Sequence, residues 1–304
     1  MEASQYAHLR ARVLGAMGAL SASLVPSASE RSTRADGSGG AAGGNPGEGR
    51  LLRGAQGNML APSVVERADW CAFAIKSNTE SPDAKALAEY WTRVARMEHA
   101  SISSFAKASL ELVQLGAPST LLRDAHRAAL DEVRHAELAF AIASEYGGAH
   151  LGPAAHALPV RLESSPVDVF RATFFDGCVQ ETIGAALLRL SAEAATDRRI
   201  AAILASMADD EERHVEVAFR TLAWLRRTFD ACARLSPTEL LAEVSAMAAP
   251  EATPYVSAAR AANVASDIFD EVLRPCVFAL FSVSTESLPA ETGWIFQRPR
   301  VALA

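Results

Sequence analysis

Between Pro82 and Phe229 the chain sets long stretches in which apolar residues return every three or four positions against short breaks rich in glycine, proline and small polar residues. That period marks amphipathic helices, and no segment sustains the two-residue alternation of a strand. Ser81, Pro82 and Asp83 offer a start for a first helix, whose pattern runs to Leu115 and stops at Gly116 and Pro118. Ser119 or Thr120 starts a second, which ends at Tyr146 before Gly147 and Gly148. A connection of about 17 residues with Pro153 and Pro159 follows, long for a helix-to-helix link. Ser165 and Pro166 open a third helix reaching Ala195, and Thr196 or Asp197 a fourth reaching Phe229. Two hairpins joined by one long connection predict an all-α chain built on a four-helix bundle with a single crossover, over residues 82–231. Shorter helices are expected over Pro237–Met247 and Ser257–Leu280, the latter interrupted at Pro275, as a C-terminal extension spanning 232–304 with an irregular end.

Ahead of the bundle the periodicity fades. GSGGAAGGNPGEG, from Gly37 to Gly49, lacks the Gly-Lys-Ser/Thr ending of a phosphate loop and reads as a flexible linker, so residues 1–60 are expected to be low-complexity and disordered. Within them Arg10 and Arg12 precede VLGAMGALSASLV (Val13 to Val25), then Pro26 and small residues, the outline of a weak signal peptide that leaves export open. Half of all residues are apolar, ample for a large core. A net charge of -7 with no cluster of Lys and Arg argues against nucleic acid as a partner. No run approaches the roughly 20 continuous apolar residues that span a bilayer, so no transmembrane anchor is expected. Cys71, Cys178, Cys232 and Cys276 are scattered without a C-x-x-C pair; they read as small buried hydrophobes and point to no compartment.

The chemistry lies in a repeat. DEVRHAELAF, from Asp131 to Phe140, returns as DEERHVEVAF, from Asp210 to Phe219, identical at seven of ten positions. In each copy Glu and His stand three apart, Glu132 with His135 and Glu211 with His214, so both side chains leave one helical face a turn apart. A single Glu-x-x-His is a common surface pairing, whereas two inside a shared frame that also repeats Asp131 and Asp210, and Arg134 and Arg213, are hard to dismiss.

A site in a bundle core needs partners on the other two helices. Counted from the first hairpin turn, Glu98 lies about 19 residues before it and Glu132 and His135 about 15 and 18 after, levels that agree within one turn at a rise of 1.5 Å per residue. Counted from the second turn, Glu181 lies about 14 before it, with Glu211 and His214 about 16 and 19 after. Small and apolar residues follow both Glu98 and Glu181, as on an inward face, where a carboxylate is costly unless a metal or proton neutralises it.

A Glu, a Glu-x-x-His, a Glu and a second Glu-x-x-His on four successive helices resemble the ferritin-like di-iron carboxylate proteins, over roughly half of the chain. The resemblance implies two iron ions, with manganese or a mixed pair as the alternative, bridged by Glu132 and Glu211 and completed by Glu98 with His135 and by Glu181 with His214. Asp131 and Asp210 would orient the imidazoles by accepting their other N–H, and Arg134 and Arg213 either pair with those aspartates or lie on a solvated face. Carboxylate oxygens with one imidazole per ion suit iron or manganese. Such proteins store iron, scavenge peroxide, generate radicals or oxidise small molecules. The absence of C-x-x-C disfavours a full rubrerythrin, and Tyr90 and Tyr146 lie two and three turns from the ligand level, far for a radical tyrosine. A ferritin used for storage would lack the helices beyond residue 231. The expected function is therefore an oxidase or oxygenase that activates O₂ against a small organic substrate, with an unidentified electron donor. A peroxidase or ferroxidase is the second reading, and a non-catalytic metal-binding bundle the third. The need for re-reduction favours the cytoplasm, and a homodimer stays open.

Other residues carry plainer expectations. His99 points about 100 degrees away from Glu98 around the helix and is left out of the ligand set. Glu137 and Glu216 are expected to be solvated, and Phe105, Phe140, Phe174, Phe175 and Phe219 to pack the core near the ligands.

Overall fold

The computed structural model describes residues 6–19 and 60–281, apart from 74, 75, 77, 159 and 160. It is all-α, as the periodicity predicts. The four long helical runs are α2 (Ala84–Gln114), α3 (Ser119–Gly147), the composite of α4 (Pro166–Ala172) and α5 (Glu181–Ala194), and α6 (Arg198–Thr228). Helix α2 packs along α3, α5 along α6, and α3 against α6. The boundaries follow the local chemistry. Asp197 caps α6 by accepting from the Arg199 and Ile200 N–H groups, and Ser165 caps α4 through the Asp168 N–H with Pro166 in the first turn. Helix α3 ends on Gly148, whose φ of 74° is a left-handed conformation that a Cβ would strain; a Cβ there would also stand 2.9 Å from Thr79 Cγ2. Helix α2 starts at Ala84, two residues later than Ser81 and Pro82 suggest, because Ser81–Asp83 form a turn instead.

Two features of this frame were not foreseen. The third helix is not uniformly α: residues Thr173–Gln180 form a π-helix that hands over directly to Glu181. A three-residue antiparallel ribbon pairs β1 (Val64–Glu66) with β2 (Leu151–Pro153), so the crossover is anchored by the segment ahead of α2. Strands of three residues are too short to leave an alternation in the sequence.

Part of the stretch expected to be disordered is helical. Residues Ala7–Ala19 form α1, which packs on α6, with Val13 fully buried and Tyr6, Leu9 and Met17 nearly so. The linker expected from Ser21 to Arg50 lies outside the described residues. Beyond the bundle come α7 (Asp230–Ala233), α8 (Pro237–Ser245), α9 (Ala258–Ile268), a π-helical turn at Phe269–Leu273, and α10 (Arg274–Leu280). The interruption expected at Pro275 takes that form, since a proline lacking its N–H removes one α-helical bond to the preceding turn.

The core divides into two apolar clusters. One joins α1, α9 and α10 with Leu112, Leu121, Phe174, Phe219 and Leu222 of the bundle, so the C-terminal helices share the bundle's core and are not appended to it. The other gathers Trp91, Ala95, Ala139, Phe140 and Ile142 with Ile200 and Leu204. Along α2, α3 and α6 the chain passes from one cluster to the other through Glu98, through Glu132 and His135, and through Glu211 and His214. The polar level is a waist between two apolar blocks.

Candidate metal centre

Helical spacing alone brings Glu132 and His135, and Glu211 and His214, to common faces, and the packing of α3 on α6 turns those faces toward each other. Helices α2 and α5 then add one carboxylate each. All six residues are buried, none more than 5 % exposed.

The arrangement has a near two-fold pattern. His135 Nδ1 lies 3.3 Å from Glu211 Oε1, 3.8 Å from Glu132 Oε2 and 3.8 Å from Glu98 Oε2. His214 Nδ1 lies 3.2 Å from Glu132 Oε1, 3.2 Å from Glu211 Oε2 and 3.7 Å from Glu181 Oε2. Glu132 and Glu211 thus each offer one oxygen toward either imidazole, whereas Glu98 and Glu181 each serve one side. One ligand atom apiece from Glu98, Glu132, His135 and Glu211 falls within 4.8 Å of all the others, and the same holds for Glu181, Glu211 and His214. Buried Glu/His clusters that could hold a metal ion are therefore present, in an arrangement compatible with a di-iron site.

The imidazoles are held from behind. His135 Nε2 lies 3.0 Å from Asp210 Oδ2, and His214 Nε2 lies 3.3 Å from Asp131 Oδ2, so each aspartate serves the histidine of the other decamer. Both Nδ1 atoms are thereby turned to the carboxylates, the ring orientation a ligand requires. Arg134 and Arg213 both pair with Asp210, and Arg213 stands 3.5 Å from Asp131 as well. Phe105 closes the side of His214 with an edge contact at 5.1 Å between ring centroids.

Electrostatics tests the fit. Both oxygens of Glu132, Oε2 of Glu98 and Nδ1 of His135 are buried and meet only other side chains of this cluster, at 3.2–3.8 Å and without good hydrogen-bond geometry, although they are within reach of a shared ion. Leaving such atoms unsatisfied costs about 1–3 kcal/mol each, more when charged. Burial, offset in part by His135 and reinforced by the neighbouring Glu132, pushes Glu98 up to about 8. Burial would depress both histidines, but the surrounding carboxylates overcome it and hold His135 and His214 well above the ordinary imidazole range. Burial would likewise raise Glu132, yet the neighbouring His135 and His214 bring it below the ordinary carboxylate range. Without a metal, protons on the two imidazoles offset two of the four carboxylate charges. Two divalent cations beside neutral imidazoles would offset all four.

A cleft of about 770 Å³, including its open mouth, reaches the centre between α2 and α5. Glu98, Glu181 and Glu211 lie at its lining, but Glu132 and the two histidines do not. Of the phenylalanines expected near the ligands, Phe105, Phe140, Phe174 and Phe219 are fully packed and none lines this cleft, which is walled instead by residues such as Trp91, Met97, Leu187 and Leu204.

His99 stays off the ligand set, packing against Trp70 at 5.0 Å and His156 at 5.6 Å, and its pKa is lowered to about 4 by burial. Glu216 is not simply solvated. Arg12 of α1 binds it together with Glu212, and Arg189 of α5 also pairs with Glu212, which ties three helices together beside the centre. Nothing local to Glu216 announces a partner some 200 positions away. Among the described residues no helix is long and apolar enough to cross a membrane. No protein family, curated protein or solved structure matches this chain, so the reading rests on its own residues and their geometry.

Proposed function

We propose that the waist of the bundle holds two metal ions, iron in the first place, and that the protein uses them to activate O₂ for oxidation of a small organic molecule. The observation that carries this reading is the doubled coordination pattern, in which Glu132 and Glu211 each turn one oxygen to His135 and one to His214. Glu98 with His135 would complete one ion and Glu181 with His214 the other, while Asp210 and Asp131 fix the ring orientations. Ions bound this way supply reversible one-electron chemistry toward O₂, and hard oxygen ligands favour iron or manganese over zinc or copper. The protein's share is positional. It buries the site between two apolar blocks that limit water, and it keeps both imidazoles oriented through aspartates that are themselves held by arginines.

The open approach along the cleft favours an organic substrate over ferroxidase work, which needs a hydrophilic path for ions rather than walls of Trp91, Met97 and leucines. Anaerobic loading with Fe(II), followed by mixing with O₂ under stopped-flow absorbance, is the test. The expected result is O₂ consumption with a transient visible band; rapid turnover of peroxide alone would favour the peroxidase reading, and bound iron inert to both would leave a structural metal site.

A further inference from the structure

The cleft is more specific than an opening to the centre. Its inner wall is hydrocarbon and sulfur, from Val94, Met97, Leu187 and Leu204, with the face of Trp91 among them. The indole N–H of Trp91 is already given to the Tyr255 hydroxyl at 3.1 Å, so that ring offers a ligand only its apolar surface. Gly184 lines the same wall, and the lack of a side chain there leaves width next to Glu181. The lining changes character at the outside, where Glu251 and Ala252 are exposed and the half-buried Arg93 and Thr253 complete it. Apart from the hydroxyl-bearing Ser191 and Tyr90, which are uncharged, polar chemistry is thus confined to the rim and to the carboxylates at the floor.

From this gradation we infer that the cleft binds small molecules by an uncharged alkyl or aryl portion, inserted toward Glu98 and Glu181, with any polar end left at the rim. A charge on the inserted portion would give up its hydration to a wall that has no partner for it. The inference rests on the metal reading above, because bound cations neutralise the floor against which the apolar end comes to lie.

The test is calorimetric titration of the metal-loaded full chain with 1-butanol, 1-hexanol, hexanoate and hexylammonium, with metal content measured on the same samples. Hexanol should bind, and each methylene from butanol to hexanol should tighten binding about fourfold, the factor that about 0.8 kcal/mol per buried CH₂ gives. Hexanoate and hexylammonium, whose charged ends can stay at the rim beside Arg93 and Glu251, should still bind through their alkyl chains. Gly184→Leu should remove hexanol binding while metal content stays at the wild-type value. Leu188→Trp, at a half-buried position on the same lining, should do the same without depending on tolerance at a buried glycine. A metal-loaded protein that binds no alcohol, shows no dependence on chain length, or binds hexanol equally well in both variants overturns the inference and leaves the metal reading intact. A protein that takes up no metal overturns both.

Discussion

Asp210 is the residue on which most of the site's geometry converges, since it accepts from His135 Nε2 and pairs with both Arg134 and Arg213. It touches no atom that would face a metal. Asp210→Ala is expected to weaken metal binding about 10- to 100-fold, the usual effect of losing a group that orients a ligating imidazole. Glu137→Ala, two residues past His135, should leave binding unchanged, and metal titration of the two variants separates orientation from mere charge. The protonation of the site makes a second prediction. Near neutral pH the metal-free centre carries protons on His135 and His214, both held above the ordinary range, and on Glu98, pushed up to about 8. Bound metal must displace them, so affinity should rise with pH, and titrations in buffers of different ionisation enthalpy should reveal proton release. The metal-free protein should behave oppositely. Groups whose folded pKa is raised stabilise the fold at low pH and lose that contribution between the unfolded and the folded value, so its Tm should fall as pH rises through neutrality toward about 8. A metal-free Tm that keeps climbing over that range would contradict the assignment. The six candidate ligands were all legible in the sequence, because helical rise converts spacing from a turn into depth. Which aspartate serves which histidine was not, since that depends on how α3 and α6 cross.

At the level of elements, the sequence gives away long helices and conceals short adjustments. Gly148 ends α3 and Asp197 caps α6 near the predicted positions because their signals are local, whereas α3 starts at Ser119 behind Pro118 without the side-chain cap expected from Ser119 or Thr120. The π-helix at Thr173–Gln180 leaves no such mark, for a wide turn preserves an apolar face and shifts only its phase. Its position immediately before Glu181 means that this phase shift decides where that carboxylate points. Helix α1 was missed for a different reason. Its composition of alanine, glycine and arginine resembles a leader or a linker, and its partners lie far along the chain: Arg12 reaches Glu212 and Glu216, and Arg10 donates to the Glu271 carbonyl at 3.2 Å. If α1 is part of the fold, Val13→Asp should cost about 3 kcal/mol or more, because the position is fully buried and offers the new charge no partner. Leu14→Asp, at a position 38 % exposed, should stay within about 0.5 kcal/mol of the parent. Urea unfolding of the pair checks this, and equal midpoints would mean that α1 contributes nothing to the packed state.

For the whole molecule, the arrangement places a highly charged waist between two apolar blocks, one of them extended by α1 and the C-terminal helices. Four buried carboxylates are a heavy cost for any fold of marginal stability. That cost is understandable if cations offset it. The most direct measurement is therefore metal content per chain by elemental analysis, on protein produced with iron and manganese available, alongside Glu132→Ala and Glu211→Ala. The wild type should carry about two ions per chain, as the doubled ligand set requires, and each variant should lose the pair while its helical circular dichroism persists. A wild type without metal under every loading condition, or two ions retained in both variants, would contradict the account and leave the repeated decamer as a purely structural pairing of α3 with α6.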